Sequence, residues 1–216
     1  MPAHSDPFRK TPWWTFYAEP VKTYREILAN YPMAYSIMMA LVAGFAMMLQ
    51  HLYSHGLARH DVPGSMMLQA FVFGPFFGLA VYYLAGIVLR IISARFGGKG
   101  SAEEHRTIWA WSFVPYLSGV VLLWIPLTIA MVVRARLWLH LPDWLKDGLL
   151  GMEIFLYYAF IPFWGWSLYI FVLGLTIINR YSWRSAILTT IIAYVAFGLV
   201  AWLLIIWFHF LGALIF

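Results

Sequence analysis

The side chains best suited to chemistry are histidines at one edge of a predicted membrane domain. His51 and His55 are four residues apart, so a helix running through them places both imidazoles on one face. Glu153 and His209 fall at the same level. Such groups at a membrane edge can bind a metal ion or haem, or relay protons. The spacing matches no strict metal signature, so no cofactor is assigned. Histidines that only cap helices at the interface are the alternative.

A second candidate is the glycine-rich segment Gly97-Gly98-Lys99-Gly100-Ser101. Backbone N–H groups around such glycines can bind a phosphate. The segment lacks the complete Gly-x-x-x-x-Gly-Lys-Ser/Thr pattern, however, and it follows an apolar run instead of a strand. A tight turn with positive φ is therefore favoured, followed by a capping box between Ser101 and Glu104. A lipid headgroup bound at Lys99 is the functional alternative.

No further arrangement of residues indicates catalysis. The chain has no cysteine, which excludes disulfides, thiolate catalysis and iron–sulfur ligation by this chain alone. Its serines and threonines lack a positioned base, and the apolar runs contain no carboxylate pair. We therefore predict that the protein is not an enzyme.

Five apolar runs must position these residues. The chain of 216 residues is 63% hydrophobic and 11% charged, the reverse of a soluble domain's balance. A helix needs about 20 apolar residues to cross a bilayer. The runs predict an all-α fold, a polytopic bundle of five transmembrane helices. The predicted spans are residues 31–52, 66–92, 107–133, 152–178 and 185–208.

The region before the first span, residues 1–30, is predicted to be a tail and an amphipathic helix, and residues 31–216 form the membrane domain. Pro20 suits the first turn of a helix, and apolar side chains follow it at three-and-four spacing. This pattern favours a helix lying at the membrane interface, anchored by neighbouring tryptophans. A docking site for a partner is the alternative. The residues assigned to this element are Trp13, Trp14, Pro20, Tyr24 and Leu28.

The basic residues predict the orientation. With five spans, ten of the fourteen Lys and Arg residues fall on the side of the N-terminus. The positive-inside rule then places the N-terminus in the cytoplasm and the C-terminus on the opposite side, in the inner membrane if the source is bacterial. The same loops suit anionic lipid, so the net charge of +5 indicates no nucleic-acid partner.

Prolines and glycines inside the spans predict bends and close contacts. A proline removes one backbone hydrogen bond and bends a transmembrane helix. Gly74 and Gly78 form a small-residue stripe that allows close helix packing, for which a contact within this chain is favoured. The prolines within the predicted spans are Pro75, Pro115, Pro126 and Pro162.

The glycine-rich turn and the start of the next span also carry a family resemblance. The residues are Phe96-Gly97-Gly98-Lys99-Gly100-Ser101 and then Trp109-Ala110-Trp111-Ser112-Phe113-Val114-Pro115. They resemble the membrane domain of the Yip family (Ypt-interacting proteins), in its prokaryotic form. That family has a Gly-Gly-Lys-Gly-Ser-like turn before a span that opens with a Gly-Tyr-Ser-like step and a proline. Pro20 to Leu28, ending at Tyr31-Pro32, is similar to the family's helix before the membrane.

The resemblance implies a five-span scaffold without established catalysis, which acts through other integral membrane proteins, through a second copy of itself or on the bilayer. Ala110 and Trp111 stand where the family usually has Gly-Tyr. The Asp-Leu-Tyr-Gly-Pro motif that eukaryotic members use for small GTPases is absent, so no GTPase partner is implied. A small transporter or channel, and an accessory subunit of a redox or pigment complex, are the alternative functions.

Overall fold

The computed structural model describes residues 12–31, 33–56, 63–126, 129 and 142–215, with side chains for most of 13–51 and 67–199. These ranges contain helices and no strand. A π-helical turn, Val120–Trp124, continues α6. The helices are α1 (Pro12–Ala18), α2 (Pro20–Asn30), α3 (Met33–Gly56), α4 (Pro63–Arg95), α5 (Ala102–Trp111), α6 (Val114–Gly119), α7 (Asp143–Ala159), α8 (Ile161–Asn179) and α9 (Trp183–Ile215).

The described helices confirm the all-α, multi-pass membrane fold. Four segments are long and apolar enough to cross a bilayer. A further apolar stretch, Trp183–Leu199, belongs to α9, which has 33 residues in all. The third segment is the most deeply buried, because its helix α5 packs against α3, α4 and α8 and its helix α6 packs against α8. The four segments are Met33–His51, Met67–Arg95, Ala102–Trp124 and Ile154–Asn179.

The first two spans pack backbone against backbone. A Cβ atom at Gly44 would overlap the carbonyl oxygen of Gly74, and one at Gly78 would overlap the carbonyl oxygen of Ala40. The predicted small-residue stripe therefore works within the chain, and that prediction is confirmed. Helices this close gain dispersion contacts and lose little side-chain entropy on packing.

Two of the proline-containing spans are interrupted where the sequence predicts bends. The third span breaks at residues 112–113, and Pro115 lies in the first turn of α6. The fourth breaks at Phe160, and Pro162 lies in the first turn of α8. Pro75, by contrast, lies inside the continuous helix α4. A proline at the start of a helix removes no bond that the helix would otherwise make, which is why the breaks precede it.

Helices α1 and α2 cover one end of the bundle. Phe16, Tyr24 and Ile27 are buried, and α2 lies against α5 and α8. The predicted start of α2 at Pro20 is confirmed. Tyr24 and Ile27 of its apolar face contact protein, whereas Val21 is exposed, and the position of the helix at the membrane interface stays a prediction. Periodicity shows that a helix face is covered but does not show what covers it.

Filling the glycine contact should separate the first two spans. We expect Gly44→Ala to lower the free energy of unfolding by about 1–3 kcal/mol, since rigid backbone must move to admit the methyl group. Thermal unfolding in detergent measures this. Gly165→Ala is the matched control, because no heavy atom lies within 4 Å of its added Cβ, and alanine favours a helix by up to ~1 kcal/mol. Equal stability of the two variants would contradict the packing described.

Candidate functional site

The glycine-rich turn after α4 is a Schellman motif. Gly97 has φ of 78°, the left-handed conformation that favours glycine. Its N–H donates to the carbonyl of Ala94 at 3.1 Å, and the N–H of Gly98 donates to the carbonyl of Ser93 at 2.9 Å. Both bonds are those of the motif that ends a helix. The predicted turn with positive φ is confirmed.

Helix α5 then begins with the predicted capping box. The N–H of Glu104 donates to Oγ of Ser101 at 3.1 Å, and the N–H of Ser101 donates to the Glu104 carboxylate at 2.6 Å. This reciprocal pair satisfies two backbone groups at the start of the helix. The turn and the cap together fix the direction in which the third span enters the bundle.

The same geometry is unfavourable for a phosphate nest. The N–H groups of Gly97, Gly98 and Ser101 are already paired within the turn. The N–H of Gly100 donates to Oδ1 of Asn179 at 3.1 Å. The Asn179 side chain also leaves no room for a Cβ at Gly98. The glycines are therefore explained by steric closeness and φ, and the side chain of Lys99 is exposed.

Asn179 joins a buried polar cluster made by three helices, which we call the Asn179 cluster: Ser93, His105 and Asn179. Nδ1 of His105 lies 2.7 Å from the Ser101 carbonyl oxygen, which can only accept, so Nδ1 carries a proton. Oδ1 of Asn179 is fixed as an acceptor by Gly100, so Nδ2 donates to Nε2 of His105 at 3.2 Å. Nε2 is therefore unprotonated, and the imidazole is neutral.

Ser93 extends this network towards α9. Its hydroxyl lies 3.0 Å from Nε2 of His105 and 3.4 Å from the hydroxyl of Tyr181. Tyr181 in turn donates to Oγ1 of Thr189 at 3.2 Å. The network links α4, α5, α8 and α9 at one end of the bundle. His105 and Thr189 have no exposed surface and Asn179 is 1% exposed, so solvent does not compete for these bonds.

Pro115 lies just after the break of the third span, in the first turn of α6. The break frees the N–H of Tyr116, which donates to Oγ of Ser167 at 2.8 Å. Just before the break, Trp111 donates its indole N–H to Ser36 at 3.2 Å and lies against Phe16. The resemblance leads one to expect tyrosine at position 111. The larger indole ring of Trp111 is thus accommodated inside the bundle.

The residues assigned to the predicted interfacial or partner helix differ in how exposed their side chains are. Tyr24 is fully buried and donates to the Ile108 carbonyl at 3.4 Å, and burial raises the pKa of its hydroxyl well above the usual range. Leu28 packs partly against the core. Trp13 is 37% exposed and Trp14 is 77% exposed. Pro20 is half-buried.

Comparison with known families decides the resemblance. The family model described as the Yip1 domain matches residues 14–205, which include every element of the site. The chain belongs to the Yip1 family. No curated protein and no solved structure matches the chain.

The Yip1 match begins at α1, so the N-terminal helices belong to the matched region together with the spans. This agrees with their burial against α5 and α8. The Gly97–Ser101 turn also lies inside the matched region. It is fixed by the hydrogen bond between Gly100 and Asn179 of α8.

Of the candidate metal ligands, His51 has its side chain in the part of the chain that is described. There, no group of three or more His, Asp or Glu residues lies close enough to hold an ion. His51 is exposed. The side chains of His55, Glu153 and His209 lie outside the described residues, so the weak metal-site prediction stays a prediction.

Sequence reasoning missed the three members of the Asn179 cluster. Ser93 and Asn179 stand at the ends of apolar runs, and His105 falls in the first turns of α5. A polar side chain at the last turn of an otherwise apolar helix is a usable signal, because burying it requires a partner. Which helix supplies that partner is a tertiary property that spacing does not contain.

Removing the carboxamide should weaken this end of the bundle. We expect Asn179→Ala to lower the free energy of unfolding by about 1–3 kcal/mol, because it leaves the partly buried Gly100 N–H and the buried Nε2 of His105 without this partner. Thermal unfolding in detergent is the measurement. Asn30→Ala, at an exposed position, is the control. A destabilisation no greater than that of the control would show that the cluster contributes nothing to stability.

Proposed function

We propose that this Yip1-family membrane protein is a non-enzymatic adaptor or scaffold whose partner binds the outer face of α1 and α2. The observation that carries the proposal is the one-sided burial of α2. Thr23, Tyr24 and Ile27 fix the helix to the bundle, whereas Lys22 and Glu26 are exposed. Because this charged helix is already ordered, its backbone loses no further conformational entropy when a partner binds.

The buried polar groups of the Asn179 cluster favour a structural role over a catalytic one. The neutral imidazole of His105 has both nitrogens occupied by protein groups and no exposed surface. A general acid or base must lie within hydrogen-bond reach of its substrate. The site therefore has the properties of a structural joint between helices. The transporter and redox-subunit alternatives find no supporting contact among the described side chains.

The aromatic residues beside α2 supply an anchor for a partner. Trp14 is 77% exposed, and Tyr17 stacks on Trp166 of α8 at a ring distance of 6.5 Å. Lys22 pairs with Glu19 at 3.1 Å, and this hydrogen bond raises the pKa of Lys22. Exposed tryptophans bordered by charged groups are frequent in the energetic centres of protein interfaces.

Replacing that tryptophan should release the partner. We expect Trp14→Ala to reduce co-purification of the bound protein from native membranes about ten-fold or more, measured by quantitative mass spectrometry of the tagged protein. Trp144→Ala is the matched control, since Trp144 is 74% exposed on α7. Equal recovery in both variants, or purification of the chain alone, would argue against the adaptor.

The proposed orientation puts the N-terminal helices and the glycine-rich turn in the cytoplasm. The chain has no cysteine, so single introduced cysteines can be labelled without background. We expect an impermeant maleimide to spare Lys99→Cys and Trp14→Cys in intact cells and to label Asp147→Cys, because α7 and α8 separate Asp147 from the Asn179 end. All three positions are exposed. Labelling of Lys99→Cys from outside would reverse the orientation.

A further inference from the structure

A groove lies between α2 and the junction of α8 and α9. Arg25 and Val21 of α2 form one wall, and Ile177, Arg180 and Trp183 contribute to the other. The groove sits where the fourth apolar segment ends, at Asn179, and where the apolar part of α9 begins, at Trp183. It therefore lies at the height of lipid headgroups.

Both arginines of the groove have exposed side chains. Across the described part of the chain, neither guanidinium lies within salt-bridge distance of a carboxylate, whereas Lys22 on the same helix is paired with Glu19. Two guanidinium groups facing one groove repel each other unless an anion lies between them. Their planar donors match the oxygens of a phosphate.

Arg180 is held in place by an unusual backbone conformation. Its φ of 54° is the sole positive value at a non-glycine residue among the described residues. Its N–H donates to the Thr176 carbonyl at 3.0 Å, so it closes the end of α8 at a position where glycine or asparagine is usual. Asn179 on one side and Tyr181 on the other belong to the buried network. The backbone of Arg180 is therefore fixed at the end of α8, beside the groove.

Besides the arginines and the polar side chains of Thr176, Tyr181 and Ser182, the groove has an apolar part. Val21, Leu173 and Ile177 line it on the side of the hydrocarbon core, and Trp183 lies beside them. Tryptophan at this height is typical of the headgroup region. A free phosphate would leave these apolar surfaces in water, whereas a phospholipid would cover them with its acyl chains.

We propose that this groove binds an anionic phospholipid, with the phosphate between Arg25 and Arg180 and an acyl chain along Leu173 and Ile177. The site lies beside the adaptor surface and does not depend on it. An acidic protein segment would satisfy the arginines, but it would not use the apolar wall, which continues into the spans.

Binding is measured by native mass spectrometry of the full-length, delipidated protein titrated with phosphatidylglycerol, or with phosphatidylcholine carrying the same acyl chains. We expect phosphatidylglycerol to bind more tightly. The double variant Arg25→Gln/Arg180→Asn should bind it roughly 30-fold more weakly, because each substitution removes one positive charge from beside the phosphate. Asparagine is chosen at 180 because it tolerates positive φ.

Arg95→Gln is the matched control, since Arg95 is exposed at the same end of the bundle but outside the groove. Its affinity should change less than about five-fold. A weakening as large as that of the double variant would overturn the proposal in favour of diffuse surface charge. Displacement of the lipid by millimolar inorganic phosphate or by a polyglutamate peptide would also overturn it, in favour of a free anion or an acidic protein. If Arg180→Asn disturbs folding, Arg25→Gln alone carries the test.

Discussion

The carboxamide of Asn179 is the contact on which one whole end of the bundle depends. Its oxygen accepts the N–H of Gly100, and its nitrogen donates to the Leu175 carbonyl and to Nε2 of His105. A buried donor or acceptor without a partner costs about 1–3 kcal/mol. One side chain thus holds the turn after α4, the start of α5 and the end of α8 at fixed distances.

Other features of this end follow from that contact. The fixed turn sets the direction of α5, and α5 offers the Ile108 carbonyl to Tyr24 of α2. Ile108 also lies against Gly174, which brings α5 and α8 close together and leaves a seat for the Tyr24 ring. The N-terminal helices are consequently part of the folded bundle. The surface that we propose as a partner-binding site is therefore already ordered in the chain alone.

Much of the fold could be predicted from the sequence because lipid imposes simple rules. Apolar length predicted the spans, Pro162 the break before α8, and Ser101 with Glu104 the cap. The role of Tyr24 could not be predicted, since an apolar stripe is the same whether lipid or protein covers it. Nor could the pairing of Gly100 with Asn179, which are 79 residues apart. The glycines of the turn are explained by the positive φ of Gly97 and by the close approach of Asn179 to Gly98 and Gly100, without a bound ligand.

The most direct test is the protonation of His105 inside the folded protein. Nitrogen-15 NMR of the imidazole in detergent micelles, assigned with a His105→Gln variant, reports which nitrogen carries the proton. We predict a single neutral tautomer at neutral pH, protonated at Nδ1, that Asn179→Ala disturbs. A charged imidazolium, or a signal that is identical in Asn179→Ala, would contradict the role given to the carboxamide.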